Sequence, residues 1–215
     1  MTQRIVILAG IHGNEPGPSL CLQRLVHQPS FWKGLANKVT VFPAINKYGL
    51  AHNQRHDGND LDLNRSWNLP KGPALKKLNI IKSKIIGLKG SGFSIPTSLV
   101  LDFHEAWGFH RCSKVSLGQS IFVPPFPCSL NGVPIKTLAK RAVALLNQTV
   151  TEPCDKWDVK TELPKVTGDC RSFCNGKRIP HVLVEMAGQN NVRSLKKREE
   201  NTRIILGVFL MRETS

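Results

Sequence analysis

The chain has 215 residues, with 30 lysines and arginines against 15 aspartates and glutamates, a formal charge of +15 and a pI near 9.9. At roughly 100–200 residues per domain this is one domain, residues 1–215. A 40% hydrophobic content beside 21% charged residues supplies a sizeable core and excludes an intrinsically disordered chain.

The longest apolar run, near Ile204–Met211, is interrupted and far short of the ~20 residues that cross a bilayer. The apolar stretch at Ile5–Ala9 is too short for a signal-peptide core and leads into a glycine-containing loop rather than a cleavage site. These features predict a cytoplasmic protein with no membrane association. Its six cysteines are then expected as reduced thiols. Cys170 and Cys174 are four apart, with no second pair to complete a tetrahedral metal site.

In chain order, Arg4–Ala9 is a continuous apolar run of strand length, as a buried strand requires. Gly10–Gly17 is a loop, Ser19–His27 has apolar residues at helical spacing, and Val39–Ile45 is a second strand. Ala51–Leu69 is polar and aperiodic, a long loop of the kind that usually carries function. Pro73 opens a helix with Leu75, Leu78, Ile81, Ile85 and Leu88 on one face and Gly90 past its end. Ser98–Phe103 is a third strand and Ser120–Val123 a fourth. Pro134–Gln148 is an amphipathic helix, Pro153–Gly176 is loop, Val182–Met186 is a last strand and Ser194–Leu210 a closing helix. Strands separated by helices predict an α/β layer fold.

The chemistry gathers at strand ends. His12-Gly13-Asn14-Glu15 follows the first strand, where functional groups collect in open α/β sheets. Imidazole and carboxylate three apart on a tight turn can converge on one cation, although the motif alone also fits a surface turn. His104, at the end of Leu99–Phe103, completes a His-Glu-His set with a fourth position open for water. Asp102 shares a strand face with His104 and can accept the other imidazole N–H. Arg55 and Arg65 are fixed cations in the polar loop, suited to an oxyanion or a carboxylate, with Asp60 and Asp62 as local turn formers. Glu185 is a carboxylate inside an apolar strand, where burial raises its pKa toward general-base range. Glu105, beside His104, is the alternative base.

Taken together, H-G-N-E after the first strand, D-L-N-R in the loop, D-F-H at a central strand end and V-E-M-A-G-Q late in the chain resemble the zinc carboxypeptidase superfamily. Within it they are most similar to the succinylglutamate desuccinylase/aspartoacylase family, over residues 5 to about 190. The resemblance implies a mixed sheet flanked by helices in three layers, here without the C-terminal β domain of aspartoacylases. It implies one Zn²⁺ per chain on His12, Glu15 and His104. Asn64 and Arg65 would grip a substrate carboxylate, Arg55 would polarise the scissile carbonyl, and Glu185 would be the general base. Arg171, in Arg171-Ser172, would bind an acidic side chain. The chain departs from the family where Glu105-Ala106-Trp107 follow His104 and in the longer spacing from Arg55 to Asn64-Arg65. Its only tyrosine, Tyr48, lies early.

The implied activity is metal-dependent amide hydrolysis on a small molecule or peptide with a free carboxylate: an N-acyl amino acid deacylase, with a metallocarboxypeptidase as the alternative. A second alternative is a basic binding protein on an enzyme-like fold, since a +15 chain attracts polyanions. The lysines lack interleaved aromatics and no nucleic-acid motif is present, so specific nucleic-acid binding is not expected.

Overall fold

The computed structural model describes residues 4–35, 38–70, 72, 75–87, 97–113, 115–161, 166–189 and 193–211. The elements in order are β1 (Ile5–Ala9), α1 (Pro16–Val26), α2 (Pro29–Trp32), β2 (Val39–Phe42), α3 (Lys47–His52), α4 (Lys76–Ile86), β3 (Leu99–Ala106), β4 (Ser120–Phe122), β5 (Ser129–Leu130), β6 (Val133–Pro134), α5 (Ile135–Asn147), β7 (Asp158–Lys160), α6 (Cys170–Asn175), β8 (His181–Ala187) and α7 (Leu195–Phe209). Short 3-10 turns occupy Leu63–Arg65 and Pro153–Asp155. Six strands form a mixed sheet in the order β2-β1-β3-β8-β4-β7, parallel except where β4 meets β8, and β5 and β6 make a separate hairpin. The expected α/β sheet with helices on both faces is present.

Two cores form because the central strands are buried on both sides, and side chains alternate between faces along each strand. Ile5, Ile7, Ala9, Leu99, Leu101, Phe103, Val182, Val184 and Met186 face α1, α5 and α7. Val6, Leu8 and Val100 face the opposite way, onto Leu78, Ile81 and Ile85 of α4 and Cys170 and Cys174 of α6. Toward the carboxyl ends of β3 and β8 this second face turns polar, presenting Asp102 and His104 beside Leu183 and Glu185 in register. The chain passes from β1 to β2 on one flank and to β3 on the other, so the strand order reverses at β1. Such switch points leave a crevice beyond the strand ends.

Local boundaries depart from the sequence pattern for physical reasons. Helix α1 begins at Pro16 rather than Ser19, because a proline in the first turn has no N–H to leave unpaired. Helix α4 stops at Gly87, whose left-handed backbone (φ 67°) closes the last turn; the expected landmarks Pro73, Leu88 and Gly90 lie outside the described residues. Strand β2 ends at Phe42 rather than Ile45. The stretch 51–69, read as loop, takes in the end of α3 and a 3-10 turn. Residues 153–176, also read as loop, contain β7 and α6, elements of three and six residues that are too short to show periodicity.

The thiol expectation is corrected at one pair. Cys112 and Cys154 are joined by a disulfide, with Cα atoms 5.4 Å apart as such bonds require. Cys21, Cys128, Cys170 and Cys174 are free. Among the described residues no helix is long and apolar enough to cross a membrane.

Helix α7 is locked to the sheet by a buried ion pair. Glu105, on the opposite face of β3 from His104, pairs with Arg198 and accepts from the Gly17 N–H at 2.7 Å. Both partners are buried. Arg198→Met is expected to cost about 3–5 kcal/mol in denaturant unfolding, because it strands a buried carboxylate. Adding Glu105→Met should recover most of that loss; a double variant no more stable than the single one would show that the charge is not the cause.

Candidate metal centre and cleft

The turn after β1 is shaped by close backbone approach. A Cβ on Gly13 would fall inside the backbone of Gly49, so only glycine lets the His12–Glu15 turn pack against the start of α3. This packing aims His12 and Glu15 at the end of β3. His12 Nδ1 lies 2.7 Å from Glu15 Oε1, and His104 Nδ1 lies 3.1 Å from Glu15 Oε2. The Glu105 backbone N–H donates to the same Oε2 at 3.2 Å. One donor atom from each of His12, Glu15 and His104 lies within 4.8 Å of the other two, and all three residues are buried.

Behind each imidazole stands a carboxylate. Asp62 Oδ1 is 3.5 Å from His12 Nε2, and Asp102 Oδ1 is 3.4 Å from His104 Nε2, ion-pair distances at which neither ring nitrogen makes a hydrogen bond. Burial alone would raise the pKa of Glu15, but His12 and His104 outweigh it and hold that carboxyl far below the usual range. Asp102 behaves alike, with His104 and His181 overcoming its burial. For His104 burial opposes charge, yet Asp102 and Glu15 on either side raise its pKa well above the ordinary value. Two imidazoles among three carboxylates thus form a buried centre with a demand for positive charge. Two nitrogens and a carboxylate at this spacing, each ring backed by an acid, fit a zinc ion with one position left open.

The centre lies in a cleft of about 190 Å³ whose lining includes His12, Glu15, His104, Arg55, Asn64, Arg65, Arg171 and Glu185, the residues to which the family resemblance gives roles. Glu185 is the register partner of His104 on β8. Burial pushes its carboxyl up to about 8, against His104 and with the Glu15 and Asp102 charges adding to the effect. Arg55 Nε donates to Asp62 Oδ2 at 2.9 Å, and its Nη1 lies 3.8 Å from Glu15 Oε1. Asn64 Oδ1 accepts from the Cys170 N–H at 3.3 Å, which leaves the amide NH₂ as its donor. Arg65 is exposed, with Nη1 bonded to the Asn64 carbonyl at 2.9 Å. Arg171, in α6, lies 3.9 Å from Asp169.

One candidate is removed and three residues are added. Glu105 cannot serve as a base in the cleft, since strand alternation turns it to the far face and onto Arg198. Asp62, read as a turn former, does cap the 3-10 turn at Asn64 N (2.8 Å) but also ties Arg55 and backs His12. His181 and Cys170 also line the cleft, and His181 Nε2 lies 3.2 Å from Asp102 Oδ2. The same alternation that groups Asp102 with His104 groups His181 with Glu185, four residues apart on one face, so that signal was present in the sequence.

A His-Glu-His cluster thus stands at the carboxyl end of a mixed α/β sheet, with a carboxylate in register and cationic walls around it. Residues 1–118 match the succinylglutamate desuccinylase/aspartoacylase catalytic domain, and the chain belongs to that family. A search of curated protein sequences gives no match. Among solved structures, the chain is similar in fold to the mDAP-bound form of the D,L-carboxypeptidase Csd4 from Helicobacter pylori. The TM-score is 0.73 at 19% identity, covering 98% of this chain and 50% of that one. It is also similar to the murein-tripeptide amidase MpaA from Escherichia coli O157, with a TM-score of 0.58 at 16% identity over 100% of this chain and 82% of that one. The chain therefore spans about half the length of Csd4.

Two substitutions test the centre. His104→Ala should abolish the tightest zinc equivalent, measured by competition with a chromophoric chelator, because two ligands are too few for a stable site. Asp102→Asn, which keeps the shape but weakens the acceptor behind His104, should lower that affinity by about 10–100-fold. Full affinity in the His104→Ala protein would refute the ligand set.

Proposed function

We infer that this chain is a zinc-dependent amide hydrolase that releases an acyl group from an N-acyl amino acid or related carboxylate-bearing substrate. The observation that carries the reading is the convergence of His12, Glu15 and His104 beside Glu185 in a cleft walled by Arg55, Arg65 and Arg171. His12, Glu15 and His104 would hold one Zn²⁺. When bound, zinc supplies Lewis-acid polarisation of a carbonyl and lowers the pKa of water to ~7.

The chain's own residues supply the rest. Glu185 takes a proton from the attacking water and returns it to the leaving nitrogen, one carboxylate serving as base and then as acid. A cation at the three ligands counters the burial that raises its pKa, keeping it a competent acceptor. Arg55, held by Asp62, directs positive charge at the carbonyl oxygen as it becomes an oxyanion. The Asn64 NH₂ and the planar fork of Arg65 grip the substrate's carboxylate. Arg171 adds a cation for a second acidic group, which favours aspartate- or glutamate-type substrates.

A second reading, removal of a C-terminal residue from a peptide, is favoured by the fold likeness over nearly the whole chain to a D,L-carboxypeptidase and a tripeptide amidase. The two readings share the zinc, the base and the carboxylate grip, and differ in what lies on the acyl side. A panel of N-acyl aspartates and glutamates beside short peptides separates them. Cleavage of peptides alone selects the carboxypeptidase reading, and cleavage of neither sinks both.

Glu185→Gln keeps the shape but cannot accept a proton, so kcat should fall by roughly 10²–10⁴-fold with zinc content unchanged. Activity within a few-fold of the parent would make Glu185 a structural carboxyl. Arg65→Lys loses bidentate geometry in ground and transition states alike, so it should raise KM more than it lowers kcat. The parent protein should cleave substrates with an amidated carboxylate poorly; equal rates on amidated and free acids would overturn the grip.

A further inference from the structure

Beside the His-Glu-His centre lies a second convergence of ligand side chains. Asp102 on β3, His181 on β8 and Cys170 at the start of α6 each bring a donor atom within 4.8 Å of the other two, and all three are buried. They reach the same cleft, so an ion can enter without opening the core. Hydrogen bonding within the group is incomplete: His181 Nδ1 has no hydrogen-bond partner although His181 is only 2% exposed, and Asp102 Oδ1, turned toward His104, has none either. The 3.2 Å between His181 Nε2 and Asp102 Oδ2 is close to the edge of a tetrahedron whose bonds are about 2.0–2.1 Å long.

We propose that Asp102, Cys170 and His181 form a second transition-metal site, distinct from the His12–Glu15–His104 centre. Thiolate, imidazole and carboxylate together select a borderline or soft dication, of the zinc or cobalt kind, over magnesium or calcium. One carboxylate and one thiolate balance a +2 charge, with the proton of the Cys170 thiol released to solvent on binding. The cleft side provides a fourth position for water or substrate. Asp102 keeps one oxygen toward His104 and gives the other to the second ion, so the two sites share a carboxylate without sharing a ligand.

The site also has a structural consequence for the cleft. Its three ligands come from β3, β8 and α6, and α6 is only six residues long. That helix carries Arg171, and its first N–H bonds Asn64. An ion on Cys170 would pin to the sheet the wall that faces the substrate's anionic end.

The discriminating feature is sulfur. The first centre has none, so a thiolate-to-Co²⁺ charge-transfer band in the near ultraviolet reports the second site alone. Metal-free protein of residues 1–215 titrated with Co²⁺ should bind two equivalents, one of which carries that band. Cys170→Ser and His181→Gln should each lose the band while the other equivalent still binds, which also certifies that the variant has folded. His12→Ala should keep the band. Saturation at one equivalent, absence of the band at saturation, or a band that survives Cys170→Ser or disappears with Cys174→Ser instead would overturn the proposal.

Discussion

Glu15 is a carboxylate in the interior, and taking such a group out of water costs several kcal/mol unless its oxygens are fully engaged. Both of them are. One faces His12 Nδ1; the other faces His104 Nδ1 and the Glu105 N–H. Meeting these contacts fixes the turn after β1 against the end of β3, and with it the angle at which two imidazoles look at each other. The edge-to-face contact of the two rings, with centroids 5.1 Å apart, follows from that arrangement. Arg55 is drawn in by the same accumulation of negative charge, through Asp62 and toward Glu15.

The two faces of β3 divide the labour. On one, Glu105 is neutralised by Arg198 and the interaction is mechanical, joining α7 and the start of α1 to the sheet. On the other, Asp102 and His104 are left for chemistry. A single strand of eight residues thus carries a structural carboxylate and a functional imidazole as immediate neighbours in sequence, kept apart by the pleat.

Much of this was legible in the sequence because it sits at the ends of strongly apolar strands. The runs Ile5–Ala9, Leu99–Phe103 and Val182–Met186 announce buried strands, and polar residues at their ends stand out against them. The His12, Glu15 and His104 cluster could be read on that basis. Residues whose significance arises only from packing between elements could not. Asp62 looks like any acid in a polar loop until the fold carries it behind His12. Cys170 reaches the cleft on a helix too short to leave a periodic trace. Glu105 differs again: it adjoins His104 along the chain, but the two-residue period of a strand puts it on the opposite face, against Arg198.

The pairing of His104 with Glu185 rests on a whole-number relation between two parallel strands. Sliding β8 past β3 by one residue would carry Glu185 to the hydrophobic side, among Val184 and Met186's present neighbours. Sliding it by two would restore the side but displace the carboxylate by about 6.6 Å along the strand, beyond reach of a proton on water held near His104. The segment between α6 and β8 is therefore length-critical in a way that its surface position conceals. Insertions in this stretch would either be taken up entirely by the loop or dismantle the alignment of Glu185 with His104 on which the proposed proton transfer rests.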